Sequence, residues 1–236
     1  MSRSNLLREL LERPGVPSYA EPLQRPHLYC PGLTARPWWR PETFPWVARL
    51  EAMAPVVRAE LLGVMEDFRI HPGDYRAPLF ETGEWSGVYF SFHGRRMERV
   101  RAACPQTAAF IDAIPRSTGI NFFSRLTPGT HVMPHFGITN LKLRCHLGLV
   151  VPDGCRMRVG QEIRGWDEGK CLVFDDSYEH EVWHDGGSPR IILSVDFGHP
   201  DLTDDEFAFL RAAEATHEHP FQEHVSFWDQ TLAQVL

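Results

Sequence analysis

The chain has 236 residues and a mass of 27.0 kDa, enough for one strand-rich domain with a full core. Hydrophobic residues make up 43% and charged residues 23%, with no low-complexity tract, which excludes a disordered chain. The formal charge of −7, with basic residues clustered no further than pairs such as Arg95–Arg96, argues against a nucleic-acid partner, because an acidic surface repels phosphates.

Leu6, Leu7, Leu10 and Leu11 follow Ser4 at helical spacing, and Pro14 ends the pattern. This opening interleaves Leu with Arg and Glu, so it has no apolar signal-peptide core. No stretch approaches the roughly 18 consecutive apolar residues of a membrane span. The expectation is a soluble, cytoplasmic protein with no membrane partner. Five cysteines (30, 104, 145, 155 and 171), widely spaced and without a CxxC pair, fit reduced thiols. The Pro-rich stretch YCPGLTARPWWRPETFPW carries three tryptophans, either packed on a core edge or placed near a substrate mouth. Residues 45–68 read as two helices divided at Pro55, WSGVYFSF (85–92) as a strand, and ERVRAACPQTAAFIDAI as one helix.

Near residue 120 the pattern changes to short strands and turns. NFFSRL, LKLRCHLGLVV, CRMRVG, QEIRGW, CLVFDD, HEVWH and RIILSVDF are separated by Gly, Pro and Asp turns at the spacing of a sandwich or barrel. Thr203–Glu206 forms a capping box before FAFLRAAEAT. The reading is α+β with a mainly β core. It is one domain with a helical, Pro/Trp-rich part (1–120), a β core (121–200) and a C-terminal helical segment (201–236).

Two histidine pairs fall in the strand-rich half: His131 with His135, and His180 with His184. HEVWH matches the zinc-protease pattern H-E-x-x-H, which needs both histidines on one helical face. Its flanks are strand-like, and in a strand the two histidines stand roughly 13 Å apart at the usual rise. Only one of them can serve a given metal. Non-haem Fe(II) oxygenases use two histidines and a carboxylate, H-x-D/E followed by a late His, with an Arg further on for the 2-oxoglutarate carboxylate. This chain offers His135-Phe136-Gly137, then His180, then Arg190, with Gly137 where the carboxylate would stand.

That departure and its surroundings resemble the aspartyl/asparaginyl β-hydroxylases. The resemblance rests on PGTHVMPHFGITNLKLRCHLGLVVP (128–152), EGKCLVFDDSYEHEVWHDG (168–186) and RIILSVDFGHPDLT (190–203), with weaker echoes in PGLTARPWW and GEWSGVYFSFHGRR. The family also carries Gly in place of the carboxylate. What the resemblance implies is a double-stranded β-helix, or jelly roll, flanked by helices. It implies Fe(II) on His135 and His180, with 2-oxoglutarate and O2 as cosubstrates. Ser124, Arg144, His146 and Arg190 would hold 2-oxoglutarate, and Asp176 would hold an iron-bound water.

The residues suit those roles. Arg190 offers a planar fork for a carboxylate, and Ser124 can donate beside it. Lys142, Arg144 and His146 alternate along one strand face, pointing into the barrel or forming a solvated outer face. Asp175 reads as a turn or cap residue, and His131 and His184 as supporting or structural residues. Phe122 stands where many members carry a basic residue that recognises an acidic substrate side chain. The chain also lacks the long helical-repeat segment of the animal enzymes. The expected substrate is therefore a free amino acid, a short peptide or a carrier-bound residue, hydroxylated at the β-carbon of an aspartyl or asparaginyl unit. The alternatives are a hydroxylase of another amino acid or an acyl chain, a 2-oxoglutarate-dependent halogenase, and a metal-binding jelly roll without catalysis.

Overall fold

The computed structural model describes residues 19–71 and 79–215, together with Asn5, Leu7 and Glu9. The N-terminal helix expected from the leucines lies outside the described residues except for Asn5, Leu7 and Glu9, which are helical; Leu7 is buried with Leu28, Leu141 and Leu210. The expected C-terminal helical segment likewise lies outside them beyond Ala215.

In chain order the elements are β1 (Trp38–Trp39), α1 (Pro45–Ala52), α2 (Ala54–Leu62), β2 (Arg69–Ile70), β3 (Phe80–Thr82), β4 (Trp85–Phe92), β5 (Arg95–Arg96), α3 (Glu98–Ala103) and α4 (Pro105–Ala113). Then follow β6 (Ser117–Leu126), β7 (His131–His135), β8 (Lys142–Val150), β9 (Cys155–Val159), β10 (Glu162–Gly165), β11 (Cys171–Phe174), β12 (His180–His184), β13 (Arg190–Gly198) and α5 (Asp204–Ala215). Pro55 lies in the first turn of α2, where its missing N–H costs nothing, and it divides α2 from α1 as expected. The helix expected over 98–114 is instead two. Cys104 has left helical geometry (φ −125°, ψ 62°) because the residue before a proline is pushed out of the α region, and Pro105 starts α4.

Strands β6 to β13 interleave between two antiparallel sheets. One runs β11–β8–β13–β6, extended by β1 at one edge and by β4 and β2 at the other; the second runs β10–β9–β12–β7, extended by β3. This interleaving is the double-stranded β-helix, with helices packed outside it. β4, from the helical half of the sequence, pairs with β6 from Trp85–Leu126 to Phe92–Ile120, so the larger sheet draws on both halves of the chain.

The period-2 alternation of each strand sorts the two faces. On β8, Leu143, Cys145, Leu147 and Leu149 join Leu193 and Val195 of β13 in a core shared with Val47, Leu50, Val57 and Ile111 of the helices. Each such burial contributes about 1.5–3 kcal/mol, so a charge at Leu193 would break the layer. β13 is covered on both faces and buried at every position, which is why RIILSVDFG reads as a nearly continuous apolar run. A second cluster, including Leu126, Val132, Met157, Phe174 and Val182, packs between the sheets. Trp39 and Trp46 belong to the helix-side core, whereas Trp38 lies between the sheets, 5.7 Å from Phe174. All five cysteines are free, in keeping with their spacing, and all are buried.

Two helix caps differ in origin. The capping box forms as read: Glu206 N–H donates to Thr203 Oγ1 (3.2 Å) and Thr203 N–H donates to the Glu206 carboxylate (2.8 Å). α4 has Cys104 at its N-cap, which makes no side-chain cap bond, and is capped from α2 instead: Gln106 and Thr107 N–H donate to Glu60 (2.9 and 2.8 Å).

Candidate active site

β12 and β7 are neighbours, and their register sets His180 directly across from His135. The two imidazole centroids are 4.0 Å apart. His135 Nδ1 donates to the Met133 carbonyl (2.7 Å) and His180 Nδ1 to the Tyr178 carbonyl (2.9 Å). A carbonyl can only accept, so each Nδ1 carries a proton, and in the neutral ring this leaves the lone pair on Nε2, the state a metal ligand requires. Burial pushes His180 well below the usual imidazole pKa, and His135 and Arg144 push the same way against the Tyr178 bond. Among the described residues, no group of three or more His, Cys, Asp or Glu side chains is placed to hold a metal.

His131 and His184 belong elsewhere. His131 Nε2 bonds Glu181 (2.7 Å) and its ring stacks on Trp183, a third exposed. His184 is buried; its Nε2 donates to the Ser188 carbonyl (2.8 Å), which leaves Nδ1 to face the Cys155 thiol (3.1 Å).

Ser124, His135, Arg144, His146, His180 and Arg190 all line one cavity between the sheets. Trp85, Phe122, Trp166 and Phe174 complete much of its wall. Ser124 Oγ accepts the Trp85 indole N–H (2.9 Å), which leaves its own hydroxyl hydrogen to donate. Arg190 is 3% exposed and lies over the Trp166 ring, 4.8 Å from its centroid. Its Nε has no partner, and no acid among the described residues pairs with it. Burial pulls its pKa down to about 10, against the opposing influence of Cys155. His146 Nδ1 and Trp166 Nε1 are likewise buried without a partner. A buried, unmatched guanidinium is costly, and three unsatisfied polar groups on one cavity mark a place shaped for an anionic, hydrogen-bonding ligand.

Gly137 meets Asp176 at close range. Its N–H donates to the Asp176 carbonyl (2.7 Å), and a Cβ at Gly137 would lie 2.6 Å from Asp176 Cγ. The Asp176 carboxyl therefore occupies the space that a side chain at 137 would take. Asp176 Oδ2 receives Lys142 Nζ (3.2 Å) and one Arg144 nitrogen (3.3 Å), while Oδ1 is buried with no partner. Lys142 and Arg144 thus turn to the inner face with His146, but they discharge onto acids. Asp175 closes a turn: its Oδ1 accepts from Ser177 N–H (2.9 Å) and its Oδ2 from Gln24 Nε2 (2.9 Å).

Sequence reasoning missed three residues here. Asp196 pairs with both Lys142 and Arg144, and its one signal is an acid inside a buried, largely apolar strand. His71 is buried and stacked flat on Trp85, centroids 3.6 Å apart. Trp166, one residue past the end of β10, faces Arg190, and nothing around it in the sequence points to chemistry.

Two interleaved sheets enclosing facing imidazoles and an unmatched guanidinium define a jelly-roll protein with a buried polar cavity. Residues 51–200 match the family described as Aspartyl/Asparaginyl beta-hydroxylase, and the chain belongs to that family of hydroxylases. It is 43% identical over 182 residues to the aspartyl/asparaginyl beta-hydroxylase of Homo sapiens, covering 73% of this chain and 24% of that protein. It is 39% identical over 139 residues to the human aspartate beta-hydroxylase domain-containing protein 2, covering 56% of this chain and 38% of that one. Against the ornithine lipid ester-linked acyl 2-hydroxylase of Rhizobium tropici it is 38% identical over 167 residues, covering 67% of this chain and 59% of that protein. The chain thus spans 24% to 59% of the length of these relatives.

Proposed function

We propose that this chain hydroxylates an sp3 carbon using Fe(II), 2-oxoglutarate and O2. The observation that carries the reading is Arg190, a buried guanidinium paired with no acid among the described residues, in the same cavity as two facing imidazoles whose Nδ1 atoms are tied to backbone carbonyls. His135 and His180 would hold the metal. Arg190 and Ser124 would grip the distal carboxylate of 2-oxoglutarate, and Arg144 and His146 would line the rest of its site. When bound, Fe(II) with 2-oxoglutarate and O2 supplies the oxidising chemistry that an unactivated C–H bond requires.

The rest is done by the chain. The aromatic wall keeps water out and strengthens each charge-assisted contact within it. Asp176 offers Oδ1 as an acceptor beside Gly137, where it can orient a water molecule; the same negative charge repels chloride, which favours hydroxylation over halogenation. The favoured target is the β-carbon of an aspartyl or asparaginyl unit, free, peptidyl or carrier-bound. A second reading, a carbon of an acyl chain, is supported by the wall at Phe122, which is buried, stacked on Tyr89 (5.1 Å) and close to His71, and which presents no cation.

A panel of amino acids, peptides and acyl-bearing compounds, screened for substrate-stimulated succinate formation, tests the function and separates the two targets. In the same assay Arg190→Ala should weaken 2-oxoglutarate binding by tens to thousands of times, the equivalent of about 2–5 kcal/mol for a buried charge pair. Unchanged 2-oxoglutarate affinity in that variant overturns the cosubstrate site.

A further inference from the structure

A carboxylate taken wholly out of water is tolerated only where its partners are already in place. Asp196, at 0% exposure, has them on every side. It lies at an irregularity in the pairing of β13 with β6, where the register shifts between Ser194 and Asp196, a device that re-aims a side chain. Asn121 Oδ1 accepts the Asp196 N–H (3.1 Å), and Ile120 N–H donates to Asp196 Oδ2 (3.0 Å). Gly119, at φ +61°, brings the backbone so near that a Cβ there would stand 2.5 Å from Oδ2. Arg144 closes a two-pronged pair, Nε to Oδ1 at 2.7 Å and a terminal nitrogen to Oδ2 at 3.0 Å, and Lys142 Nζ adds a contact at 2.8 Å. Both cations then reach on to a single oxygen of Asp176.

We propose that Asp196 is a positioning residue for the metal site, acting through Arg144 and Lys142. The fork on Asp196 fixes the plane of the Arg144 guanidinium. The third Arg144 nitrogen and Lys142 Nζ then hold Asp176 Oδ2, so the carboxyl can turn only one way. Both oxygens border the space a Cβ at Gly137 would fill, Oδ1 at 2.7 Å and Oδ2 at 2.8 Å, and with Oδ2 taken by the two cations it is Oδ1 that is left there without a partner. Without Asp196, two cations would compete for Asp176, drawing both of its oxygens inward and away from that space. The proposal rests on the reading of His135 and His180 as metal ligands.

Co(II), whose visible absorption reports its coordination, is titrated into the wild-type chain, Asp196→Asn, and the double variant Lys142→Met/Asp196→Asn, with melting temperature followed in parallel. Asp196→Asn leaves two buried cations against one carboxylate, so it should both lower the melting temperature and weaken Co(II) binding, by roughly 10–100-fold for a lost supporting contact, with a changed absorption band. Removing Lys142 as well leaves one cation facing one acid and should recover the melting temperature without recovering metal affinity. Wild-type affinity and spectrum in Asp196→Asn, or recovery of both properties together in the double variant, overturns the positioning role and leaves Asp196 a structural residue. If the wild-type chain takes up no Co(II), it is the ligand assignment that fails.

Discussion

His180 and His184 stand on the same face of one strand, and their neighbours give them different chemistry. His180 has its Nδ1 proton tied to a carbonyl and Nε2 turned to the cavity it shares with His135. His184 has both nitrogens engaged, one with the Ser188 carbonyl and one with the Cys155 thiol. His180→Ala should therefore abolish metal uptake in a Co(II) or Fe(II) titration, because two protein ligands leave no redundancy. His184→Ala should keep metal uptake and instead lower unfolding stability by about 1–3 kcal/mol, the cost of stranding buried partners. Metal affinity that followed His184 and not His180 would reverse the assignment. His135, His180 and Arg190 can be picked out in the sequence because their spacing is itself a pattern, whereas Ser124, Arg144 and His146 stand out only through the resemblance to a family. Asp196 could not be, since what defines it is a pairing with Arg144 across 52 positions and a bulge that no local residue announces.

Local chemistry also separates what could be read at the scale of elements. Thr203 and Glu206 lie three positions apart and satisfy each other, so the start of α5 was legible from four residues. The break between α3 and α4 is masked in the sequence despite Pro105, because apolar positions recur on either side of it at helical spacing. The cap that makes the break tolerable comes from Glu60, on another helix and 46 positions from Gln106. Likewise β4 was recognisable as a strand, but its pairing with β6 depends on a contact between distant segments. Glu60→Ala strips acceptors from two backbone donors and the Thr107 hydroxyl together. It should lower stability by about 1–2 kcal/mol, at or above the roughly 1 kcal/mol expected for Thr203→Ala. The comparison is made by denaturant midpoints at constant slope, and a Glu60→Ala midpoint equal to wild type would show that α4 needs no cap from α2.

For the molecule as a whole, the cavity lies inside the packing that holds the two sheets together, so the protonation of its residues is part of the folding equilibrium. His71, His146 and His180 are all pushed well below the ordinary imidazole range, by burial first and by neighbouring cations or imidazoles after it. In the unfolded chain they take up protons near pH ~6.5, while the folded chain does not. The metal-free protein should therefore hold this stability above pH ~6.5 and lose it as the pH falls, by up to about 1.4 kcal/mol per pH unit for each proton. Asp175 works in the opposite direction. Burial raises its pKa to about 7, against the Ser177 bond, so the folded chain keeps a proton that the unfolded chain gives up above pH ~4. That contribution is present at low pH and is lost as pH rises to about 7, which partly offsets the histidines in the window between. Three imidazoles outweigh one carboxyl, so denaturant stability of the metal-free chain should fall between pH 6.5 and 5.5, and Asp175→Asn, which removes the offset, should steepen the fall. Bound metal should shift the loss to lower pH, since it holds imidazoles in the neutral state that the fold already favours. Stability that stayed level or rose on acidification through this window would mean that the imidazoles are not buried in their neutral form, and the cavity would then lack the lone pairs on which its proposed metal binding depends.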